Sequence, residues 1–358
     1  MSLDQLRQRI DELDAELVRL LNERTRAAMD IGRVKQESGA EIYVPAREKA
    51  VLDRVTSLNK GPLHNTSVTA IYREIMSASL ALEHNIKIAY LGPQATFTHQ
   101  AARSRFGASV TYEACQTIAD VFVAVQKQEA DYGVIPIENS TEGAVTHTLD
   151  EFLSTPLKIC AEIFLSISHH MMAAVPRDEI RKLYSYPQVF GQCRQWLHDH
   201  MPDADLVAVS STARAAEMAM QEPKSGALAS ELAAELYGLS ILDRNIQDLV
   251  GNTTRFLVVG KTYGEATGYD KTSLCFGVRH QAGALCAVLD VLRAHGLNMT
   301  KIESRPSKSR QWEYIFFVDV EGHATDEKVK GALDALADHC AVLTVLGSYP
   351  RGRSLEAE

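Results

Sequence analysis

Two polar strings in the middle of the chain carry the side chains best suited to chemistry on a small polar molecule. In residues 133–145 (GVIPIENSTEGAV) a short apolar run changes abruptly into the polar residues 138–142. The second string, residues 251–256 (GNTTRF), precedes the apolar residues 257–259, and its Arg255 could pair with a substrate carboxylate. Because loops after strand ends form the ligand crevice of open α/β folds, we expect both strings at one site. Either string alone could be a polar turn that ends a strand.

A second group of candidate residues is cationic and lies in the first 85 residues. Arg7 lies beside an apolar seam, and Arg24 and Lys35 share one face of a long helix. Arg47 is expected in the first turn of a second helix. On a third helix a hydroxyl and a carboxyl continue an apolar face, which comprises Tyr72, Ile75, Met76, Ser79 and Glu83. Helical bundles build sites from such inward-facing polar residues; the alternative is solvated charges on helix surfaces.

In the segment that positions these cations, the sequence pattern predicts helix almost throughout. Ser2 and Gln5 form a capping box. Apolar residues then recur at spacings of three and four, and this coiled-coil seam consists of Leu3, Leu6, Ile10, Leu13, Leu17 and Leu20. The pattern predicts one helix that continues to Gly39, a second from Pro45 and a third over residues 67–83. Because so long a helix cannot bury its apolar stripe alone, we expect a second chain to cover it.

After residue 85 the hydrophobic pattern changes to short strands that alternate with helices. Strand-like runs lie at 86–91, 134–137, 206–209, 227–229 and 256–259, and helix-like runs at 98–106, 118–127, 212–220 and 230–237. This alternation predicts a doubly wound α/β region with two lobes and a cleft between them.

The last part of the chain has a third pattern, which follows a linker at residues 262–270. Strands are expected at 273–278, 298–303, 313–320 and 341–346, and helices at 283–295 and 326–338. Their order is the βαββαβ order of a ferredoxin-like domain. The predicted domains are therefore residues 1–85, all-α; residues 86–263, two-lobed α/β; and residues 271–350, ferredoxin-like.

Composition restricts the class of protein. The 358 residues are 46% hydrophobic and 23% charged, which is typical of globular proteins, and the length suits two or three domains. No run approaches the roughly 20 apolar residues of a membrane span, and the N-terminus lacks signal-peptide features. The six cysteines form no metal-ligand or disulfide pattern, so we expect a cytoplasmic protein without a metal. The net charge of −9 argues against binding to nucleic acid or to an anionic membrane.

The helical segment resembles the all-helical chorismate mutase family, in which two chains interlace into a dimer. The matching runs are residues 6–14 (LRQRIDELD), 23–24 (ER), 32–35 (GRVK) and 45–48 (PARE), with Ser79 and Glu83. The resemblance implies that Arg24, Arg47 and Arg7 of the partner chain bind the two carboxylates of chorismate. It assigns Lys35 to the breaking ether oxygen and places Glu48, Ser79 and Glu83 at the site. Many members have glutamine where this chain has Glu83.

The reaction of that family is a pericyclic rearrangement of a dianion. It needs no nucleophile, metal or cofactor, so the resemblance implies that catalysis consists of positioning and of electrostatic stabilisation of the charge that develops on the ether oxygen.

The central segment resembles prephenate dehydratase. The matching runs, in family order, are residues 91–99 (LGPQATFTH), 137–143 (IENSTEG), 184–188 (YSYPQ), 192–193 (QC), 210–213 (SSTA) and 254–256 (TRF). The reaction expels carbon dioxide and a ring hydroxyl together, and the resemblance makes Thr254 and Glu138 candidates to donate to the departing oxygen. Arg255 would either hold a carboxylate or form a structural salt bridge. The other expected site residues are Asn139, Ser140, Thr141, Gln192 and Phe256.

The chain departs from the dehydratase pattern at a few positions. Ala95 stands where the family usually has glycine, which argues against a positive φ at that turn. Tyr186 stands where histidine is common. The resemblance assigns no role to the histidines of this segment, and we expect core or surface positions for His99, His169 and His170.

The C-terminal segment resembles the regulatory ACT domain of these enzymes. One motif opens a helix and the other ends a strand; the expected effector residues are Gly283, Ala284, Leu285, Asn298, Glu303, Ser304, Arg305 and Pro306. Free N–H groups at a helix N-terminus suit the carboxylate of an amino acid. The resemblance implies that phenylalanine binds between these motifs at a subunit interface. The alternative is a dimerisation unit without a ligand.

Together the resemblances cover nearly the whole chain and imply a bifunctional, cofactor-free enzyme. It would rearrange chorismate to prephenate and convert prephenate to phenylpyruvate, under feedback inhibition by phenylalanine, as a homodimer or higher homo-oligomer. Two alternatives stay open. An amino-acid sensor without chemistry should lack the mutase arginines, which this chain has, and a dehydratase could also act on arogenate, the amino counterpart of prephenate.

Overall fold

The computed structural model describes residues 2–38, 43–278, 281–306 and 314–352. The chain is grouped into two compact units. The first comprises residues 1–87 and 105–111, and the second comprises residues 88–104 and 112–358. The short segment 105–111 is thus part of the N-terminal unit.

The N-terminal unit is built on three consecutive helices, α1 (Leu3–Ser38), α2 (Pro45–Leu58) and α3 (Asn65–Glu83). The predicted capping box is present: the Ser2 N–H donates to Gln5 Oε1 at 2.9 Å, and the Gln5 N–H donates to Ser2 Oγ at 3.3 Å. Pro45 opens α2, where its missing N–H costs no helical hydrogen bond. The predicted end of the first helix, Gly39, lies outside the described residues. Both α1 and α2 pack against α3.

The predicted coiled-coil seam of α1 is largely exposed within the described part of the chain. Its six apolar residues are 45% to 63% exposed; they are Leu3, Leu6, Ile10, Leu13, Leu17 and Leu20. Contiguous apolar surface of this kind marks a contact surface for another molecule. We expected a second chain to cover this seam, and that expectation stays a prediction.

The next part of the chain forms the first α/β lobe. Its elements are β1 (Lys87–Leu91), α4 (Phe97–Phe106), β2 (Thr111–Cys115), α5 (Ile118–Gln126), β3 (Tyr132–Asn139), β4 (Gly143–Ala144), α6 (Thr146–Glu151), β5 (Lys158–Ser166) and a strand that returns later in the chain, β11 (Thr253–Gly260). The strand order is β2-β1-β3-β11-β5, with β4 beside β3. β1 and β3 are parallel, whereas β11 runs antiparallel to both β3 and β5.

The chain between β5 and β11 forms the second α/β lobe. Its elements are β6 (His170–Ala173), β7 (Lys182–Ser185), α7 (Pro187–Gln192), α8 (Arg194–His200), β8 (Asp205–Ala208), α9 (Thr212–Gln221), β9 (Ser225–Ala229), α10 (Glu231–Tyr237) and β10 (Ser240–Asp243), with a 3-10 turn at Arg177–Glu179. The strand order is β10-β6-β9-β7-β8. The predicted two-lobed α/β architecture is confirmed, and both sheets mix parallel and antiparallel pairs.

The C-terminal part of the second unit is the predicted ferredoxin-like domain. Its elements are β12 (Asp270–Val278), α11 (Ala284–Ala294), β13 (Met299–Pro306), β14 (Tyr314–Glu321), α12 (Glu327–Ala337) and β15 (Cys340–Pro350). The sheet order is β13-β14-β12-β15, so the βαββαβ prediction is confirmed. The predicted third strand of this domain began at Glu313, which lies outside the described residues. β12 begins at Asp270, the last residue of the predicted linker.

The ferredoxin-like domain shares a hydrophobic core with the first α/β lobe. Phe317 and Tyr349 are buried in one cluster with Phe122, Ile135 and Ile159. A Cβ added at Gly347 would lie 2.1 Å from the Ile159 carbonyl oxygen, so β15 approaches the backbone of β5 as closely as glycine allows. The face of the lobe that carries β5 is therefore fixed against the C-terminal sheet.

The expectation for Ala95 was wrong, because this residue adopts a positive φ of 69°. The Ala95 N–H donates to His99 Nδ1 at 3.1 Å, and Ser230 Oγ donates to the Ala95 carbonyl at 3.2 Å. These bonds hold the turn, and they offset the roughly 1 kcal/mol that a Cβ costs in this conformation.

Candidate active sites

A pocket of about 190 Å³ in the N-terminal unit contains most of the predicted mutase residues. Each helix contributes two of the predicted residues to the lining. They are Arg24 and Lys35 of α1, Arg47 and Glu48 of α2, and Ser79 and Glu83 of α3. The three helices therefore bring several cations and two carboxyl groups to one site. Such a cationic pocket suits a small dianion.

Arg24 and Glu83 are held in defined places in this pocket. Arg24 Nη1 donates to Ser79 Oγ at 3.1 Å, and Ser79 Oγ donates to the Ile75 carbonyl at 2.9 Å. A Cβ added at Gly32 would lie 3.0 Å from Glu83 Cγ, so this glycine leaves room for the Glu83 side chain against α1.

The Glu83 carboxyl group has a raised pKa. The side chain is half-buried, and burial raises its pKa more than the nearby Lys35 and Arg24 lower it. A raised pKa increases the fraction of carboxylic acid, which can donate a hydrogen bond, whereas a carboxylate can only accept.

Arg7 is the predicted mutase residue that the structure places elsewhere. It lies near the start of α1, its side chain is 69% exposed, and it forms an ion pair with Asp4 at 3.8 Å. It does not appear in the described lining of the pocket in its own chain. The resemblance to the chorismate mutase family assigns it to the pocket of a second chain, and this assignment stays a prediction.

Other lining residues of the same pocket were missed by the sequence analysis; they include Tyr43, Arg73, Arg105 and Phe106. Arg73 shares the helical spacing of Met76, Leu80 and Glu83, so the pattern of α3 contained a signal for it. The sequence contained no such signal for Arg105 and Phe106, because they lie far along the chain from the three helices that form the pocket.

A cleft of about 430 Å³ lies between the two α/β lobes. Of the predicted dehydratase residues, it is lined by Asn139, Gln192, Thr254 and Phe256. The first residues of α4 and α9 also line it, with Thr98 from one lobe and Ser211 and Thr212 from the other. Helix N-termini carry free N–H groups and suit anions. Tyr186, one of the departures from the family pattern, lies in the same lining.

Thr254 and Asn139 form the centre of the cleft wall, because they are paired residues on the neighbouring strands β11 and β3. Asn139 Nδ2 donates to Thr254 Oγ1 at 2.8 Å and to Asn252 Oδ1 at 2.6 Å. Since the Thr254 oxygen accepts this N–H, its own hydrogen is directed to a different acceptor. Thr254 is therefore suited to donate to a molecule in the cleft.

Ser140 and Thr141 support the wall and are not part of the described lining of the cleft. The Thr253 N–H donates to Ser140 Oγ at 3.0 Å, and the Thr141 N–H donates to Asn139 Oδ1 at 2.9 Å. These bonds fix the loop after β3, and with it the orientation of the Asn139 amide.

Arg255 lies on the opposite face of β11 from Thr254 and Phe256, because side chains alternate along a strand. It is 4% exposed and surrounded by carboxylates, at 2.8 Å from Glu162, 2.6 Å from Asp319 and 3.2 Å from Glu138. Its Nη2 also donates to the Tyr349 hydroxyl at 3.0 Å. Of the two alternatives for Arg255, this geometry favours the structural salt bridge.

Glu138 likewise faces away from the cleft, toward Arg255 and Lys301. Burial alone would raise the pKa of its carboxyl group, but Lys301 and Arg255 outweigh that effect and lower the pKa. An ionised carboxylate cannot donate a hydrogen bond. Between the two candidate donors, the geometry therefore favours Thr254.

His169, which we expected in the core or on the surface, is a buried residue of the cleft lining. It is 2% exposed and lines the cleft, with its Nε2 2.9 Å from Gln192 Oε1. Burial lowers the pKa of His169, more than the bond to Gln192 raises it. The lowered pKa favours the neutral ring, whose Nε2 contacts the Gln192 amide and so orients it.

The two effector motifs lie on α11 and β13. Gly283 caps α11 with a φ of 81°, and Ala284 and Leu285 form its first turn. Glu303 to Pro306 end β13, which is an edge strand of its sheet. Arg305 makes a two-armed ion pair with Asp150 of α6 in the first lobe, at 3.0 Å from each carboxylate oxygen. The motif is therefore tied directly to the dehydratase lobe.

The residues that the structure describes contain neither a metal-binding cluster nor a membrane-spanning helix. Among these residues, no group of three or more His, Cys, Asp or Glu could hold a metal ion. No described helix is both long enough and apolar enough to cross a membrane.

Family models match the chain in three consecutive segments. The chorismate mutase type II model matches residues 6–84, the prephenate dehydratase model residues 88–263 and the ACT domain model residues 272–338. Among solved structures, a prephenate dehydratase from Arthrobacter aurescens in complex with L-Phe is 35% identical, with a TM-score of 0.68 over 74% of this chain and 90% of that one.

Fold likeness alone does not assign the reaction. GqqA, described as a quorum quenching acylase, is 31% identical with the same TM-score of 0.68, over 74% of this chain and 98% of its own. Relatives that match nearly end to end do assign the family. The bifunctional chorismate mutase/prephenate dehydratases of Aquifex aeolicus and Pseudomonas aeruginosa are 49% and 44% identical, each over 98% of both chains. The chain therefore belongs to the family of bifunctional chorismate mutase/prephenate dehydratases.

Proposed function

We propose that the helical pocket is the chorismate mutase site, that the cleft between the lobes is the prephenate dehydratase site, and that the ACT domain binds phenylalanine as a feedback inhibitor. The observation that carries this proposal is the separation of two sites of different chemistry. One is cationic, and the other is lined mainly by hydroxyl and amide groups, with Glu142 and His169. We place the domain boundaries at residues 1–85, 86–263 and 271–350, close to the segments that the family models match.

In the mutase pocket the protein supplies positioning and charge. Arg24 and Arg47 bind the carboxylates of chorismate, together with Arg7 of the partner chain. As the ether bond breaks, negative charge develops on its oxygen, and Lys35 stabilises that charge. Glu83, in its protonated form, donates a second hydrogen bond to the same oxygen. The proximity of Arg24 to Ser79 and the raised Glu83 pKa support these roles.

In the dehydratase cleft the protein must help a hydroxide leave. The bond between the ring and the departing carboxylate breaks, its electrons enter the ring, and the ring hydroxyl leaves on the other side as carbon dioxide is released. Thr254 donates a hydrogen bond to that oxygen, which leaves as hydroxide and becomes water by taking up a proton from the solvent. Asn139 orients Thr254, and His169 orients Gln192.

The carboxylates of prephenate are bound without a positive side chain. The cleft lining in the described part of the chain contains no lysine or arginine. The N-termini of α4 and α9, with hydroxyl groups such as Thr98 and Ser211, supply the N–H and O–H donors instead. Glu138 and Arg255 support the wall from its other face.

The finer assignments follow from the sequence and from the relatives. L-Phe bound to the Arthrobacter aurescens enzyme supports phenylalanine as the effector here. The exposed seam of α1 supports a homodimer or a higher homo-oligomer. The cysteines all lie in the described ranges and all are free thiols, which supports a cytoplasmic location.

The decisive experiment measures both activities of the purified chain. Incubation with chorismate should yield prephenate and then phenylpyruvate, and added phenylalanine should inhibit the second step. Arogenate in place of prephenate tests the alternative substrate. A chain that bound phenylalanine but converted neither chorismate nor prephenate would be a sensor, and the proposal would fail.

A further inference from the structure

Residues 105–109 pack on the mutase helices, although the dehydratase family model covers them. The Ala108 N–H donates to Glu74 Oε2 at 3.0 Å, and the Ser109 N–H donates to Ser77 Oγ at 3.1 Å. Gly107 has a φ of 74°, and a Cβ there would lie 2.5 Å from Ser77 Cβ. Only glycine fits this approach, so the segment is fixed on α3.

This segment places Arg105 in the wall of the mutase pocket. Its Nη2 lies 3.2 Å from Glu48 Oε2, and its Nε donates to the Tyr43 hydroxyl at 2.6 Å. Its guanidinium carbon is 5.8 Å from the centre of the Tyr43 ring, which packs on Phe106 at 4.9 Å. One guanidinium therefore holds two pocket residues at once.

Glu48, the ion-pair partner of Arg105, places a carboxylate in the pocket that we propose binds a dianion. The Glu48 side chain is only 10% exposed and shares the pocket with Arg24, Lys35 and Arg47. A carboxylate that moved toward these cations would compete with the substrate for them. Arg105 holds the carboxylate at the wall, away from that competition, because its Nη2 pairs with Glu48 while its Nε is fixed by the Tyr43 hydroxyl.

We propose that Arg105 is a positioning residue of the mutase reaction, acting through Glu48 and Tyr43. Mutase turnover then depends on a residue that lies in the dehydratase part of the sequence. This inference rests on the proposed mutase site, in particular on the place of Glu48 in it.

The test uses full-length protein and measures kcat and KM of both activities. Arg105→Gln should lower mutase kcat/KM about 10- to 100-fold, because it leaves a largely buried carboxylate without its cationic partner. Arg105→Lys keeps the positive charge but not the two separate nitrogens that contact Glu48 and Tyr43, so its loss should be smaller than that of Arg105→Gln. Arg103→Gln, on the same helix with a surface partner in Glu235, is the matched control and should change either activity by no more than about twofold.

A double-mutant cycle separates positioning from general damage. In the Glu48→Gln background there is no carboxylate to hold, so adding Arg105→Gln should cost far less than it does in the parent. Fully additive losses, equal loss of mutase and dehydratase activity, or an unchanged Arg105→Gln enzyme would each overturn the role of Arg105. If Glu48→Gln alone left mutase activity unchanged, the assignment of Glu48 would fail first, and the positioning role with it.

Discussion

Glu83 and Thr254 show how the surroundings of a single residue decide whether its side chain can donate a hydrogen bond. Burial raises the pKa of Glu83, although Lys35 and Arg24 oppose it. The Thr254 hydroxyl is available to donate to a molecule in the cleft, because its oxygen already accepts a hydrogen bond from the Asn139 amide. Both residues are proposed donors to a departing oxygen, one in each site.

Mutase turnover should fall as pH rises through the Glu83 pKa, because only the protonated carboxyl group can donate. Glu83→Gln should flatten this profile and preserve activity at high pH, since an amide N–H donates at any pH. Glu83→Ala should lose most of the activity. The measurement is the pH profile of mutase kcat in the parent and both variants.

The dehydratase profile of the same proteins is the control for Glu83, because that cleft does not contain the residue. If the parent mutase profile stayed flat from acid to alkaline pH, or if Glu83→Gln left it unchanged, Glu83 would not be the donor.

Thr254→Val keeps the shape of the side chain and removes its hydroxyl group. Dehydratase turnover should fall about 10²- to 10³-fold, the usual cost of removing one positioned hydrogen-bond donor to a developing negative charge. Mutase turnover should remain near normal, since its pocket lies in the other unit. Thr254→Ser, which keeps the hydroxyl, should retain much of the dehydratase activity. Equal losses of both activities in Thr254→Val would contradict the two-site proposal.

At the scale of elements, strands β11 and β13 connect the catalytic lobe to the ACT domain. β11 presents Thr254 to the cleft and Arg255 to Asp319 on the other face. β13 carries the effector motif at its end and contacts the lobe through Lys301 and Arg305. If effector binding shifted β13, it would therefore move the ion-pair partners of Glu138 and Asp150.

Asp150→Asn should weaken the response to phenylalanine without abolishing dehydratase turnover, because it breaks the two-armed pair with Arg305 outside the cleft. We expect the phenylalanine concentration for half-inhibition to rise severalfold, as for the loss of part of an allosteric coupling energy of about 1–3 kcal/mol.

Two further variants make this test specific. Arg305→Gln should have a similar effect, and the double variant should be little worse than either single one. Arg293→Gln, which removes an exposed pair with Asp290 in the same domain, should leave inhibition unchanged. Unaltered inhibition in Asp150→Asn would mean that the coupling does not pass through this pair.

At the scale of the whole molecule, the mutase site is expected to need two chains. Each chain exposes its α1 seam and supplies Arg24 and Lys35 to its own pocket. Its Arg7 side chain is 69% exposed and lies outside the described lining of that pocket. In a twofold dimer the same surface meets itself, so each Arg7 can enter the other chain's pocket.

Mixing two inactive variants tests this arrangement directly. Arg7→Ala and Arg24→Ala should each abolish most mutase activity. In a hybrid dimer one pocket carries both changes and the other carries none, so chains that have exchanged partners should recover about a quarter of the parent activity, since half of the dimers are hybrids. Activity that stayed at the level of the single variants after exchange would show that Arg7 does not act across the dimer.

The sequence determined what depends on short-range pattern. The capping box at Ser2, the seam of α1, Pro45 at the start of α2 and the βαββαβ order all follow from local spacing, because helices and strands repeat with fixed periods. Short strands with little alternation, such as β2 (Thr111–Cys115) with its mostly exposed side chains, were missed because they carry no such period. The residue pattern predicted one site for the two polar strings that contain Asn139 and Thr254, and Gln192 came from the resemblance. The structure brings all three together in one cleft.

Only the tertiary structure decided which face of each element meets which partner. The insertion of β11 between β3 and β5 turned Arg255 toward carboxylates that lie far from it in the sequence, and left Thr254 on the cleft. The positive φ of Ala95 and the place of Arg105 in the mutase wall likewise depend on contacts between distant segments. A one-dimensional pattern fixes the period of an element, but its neighbours are chosen by packing across the chain.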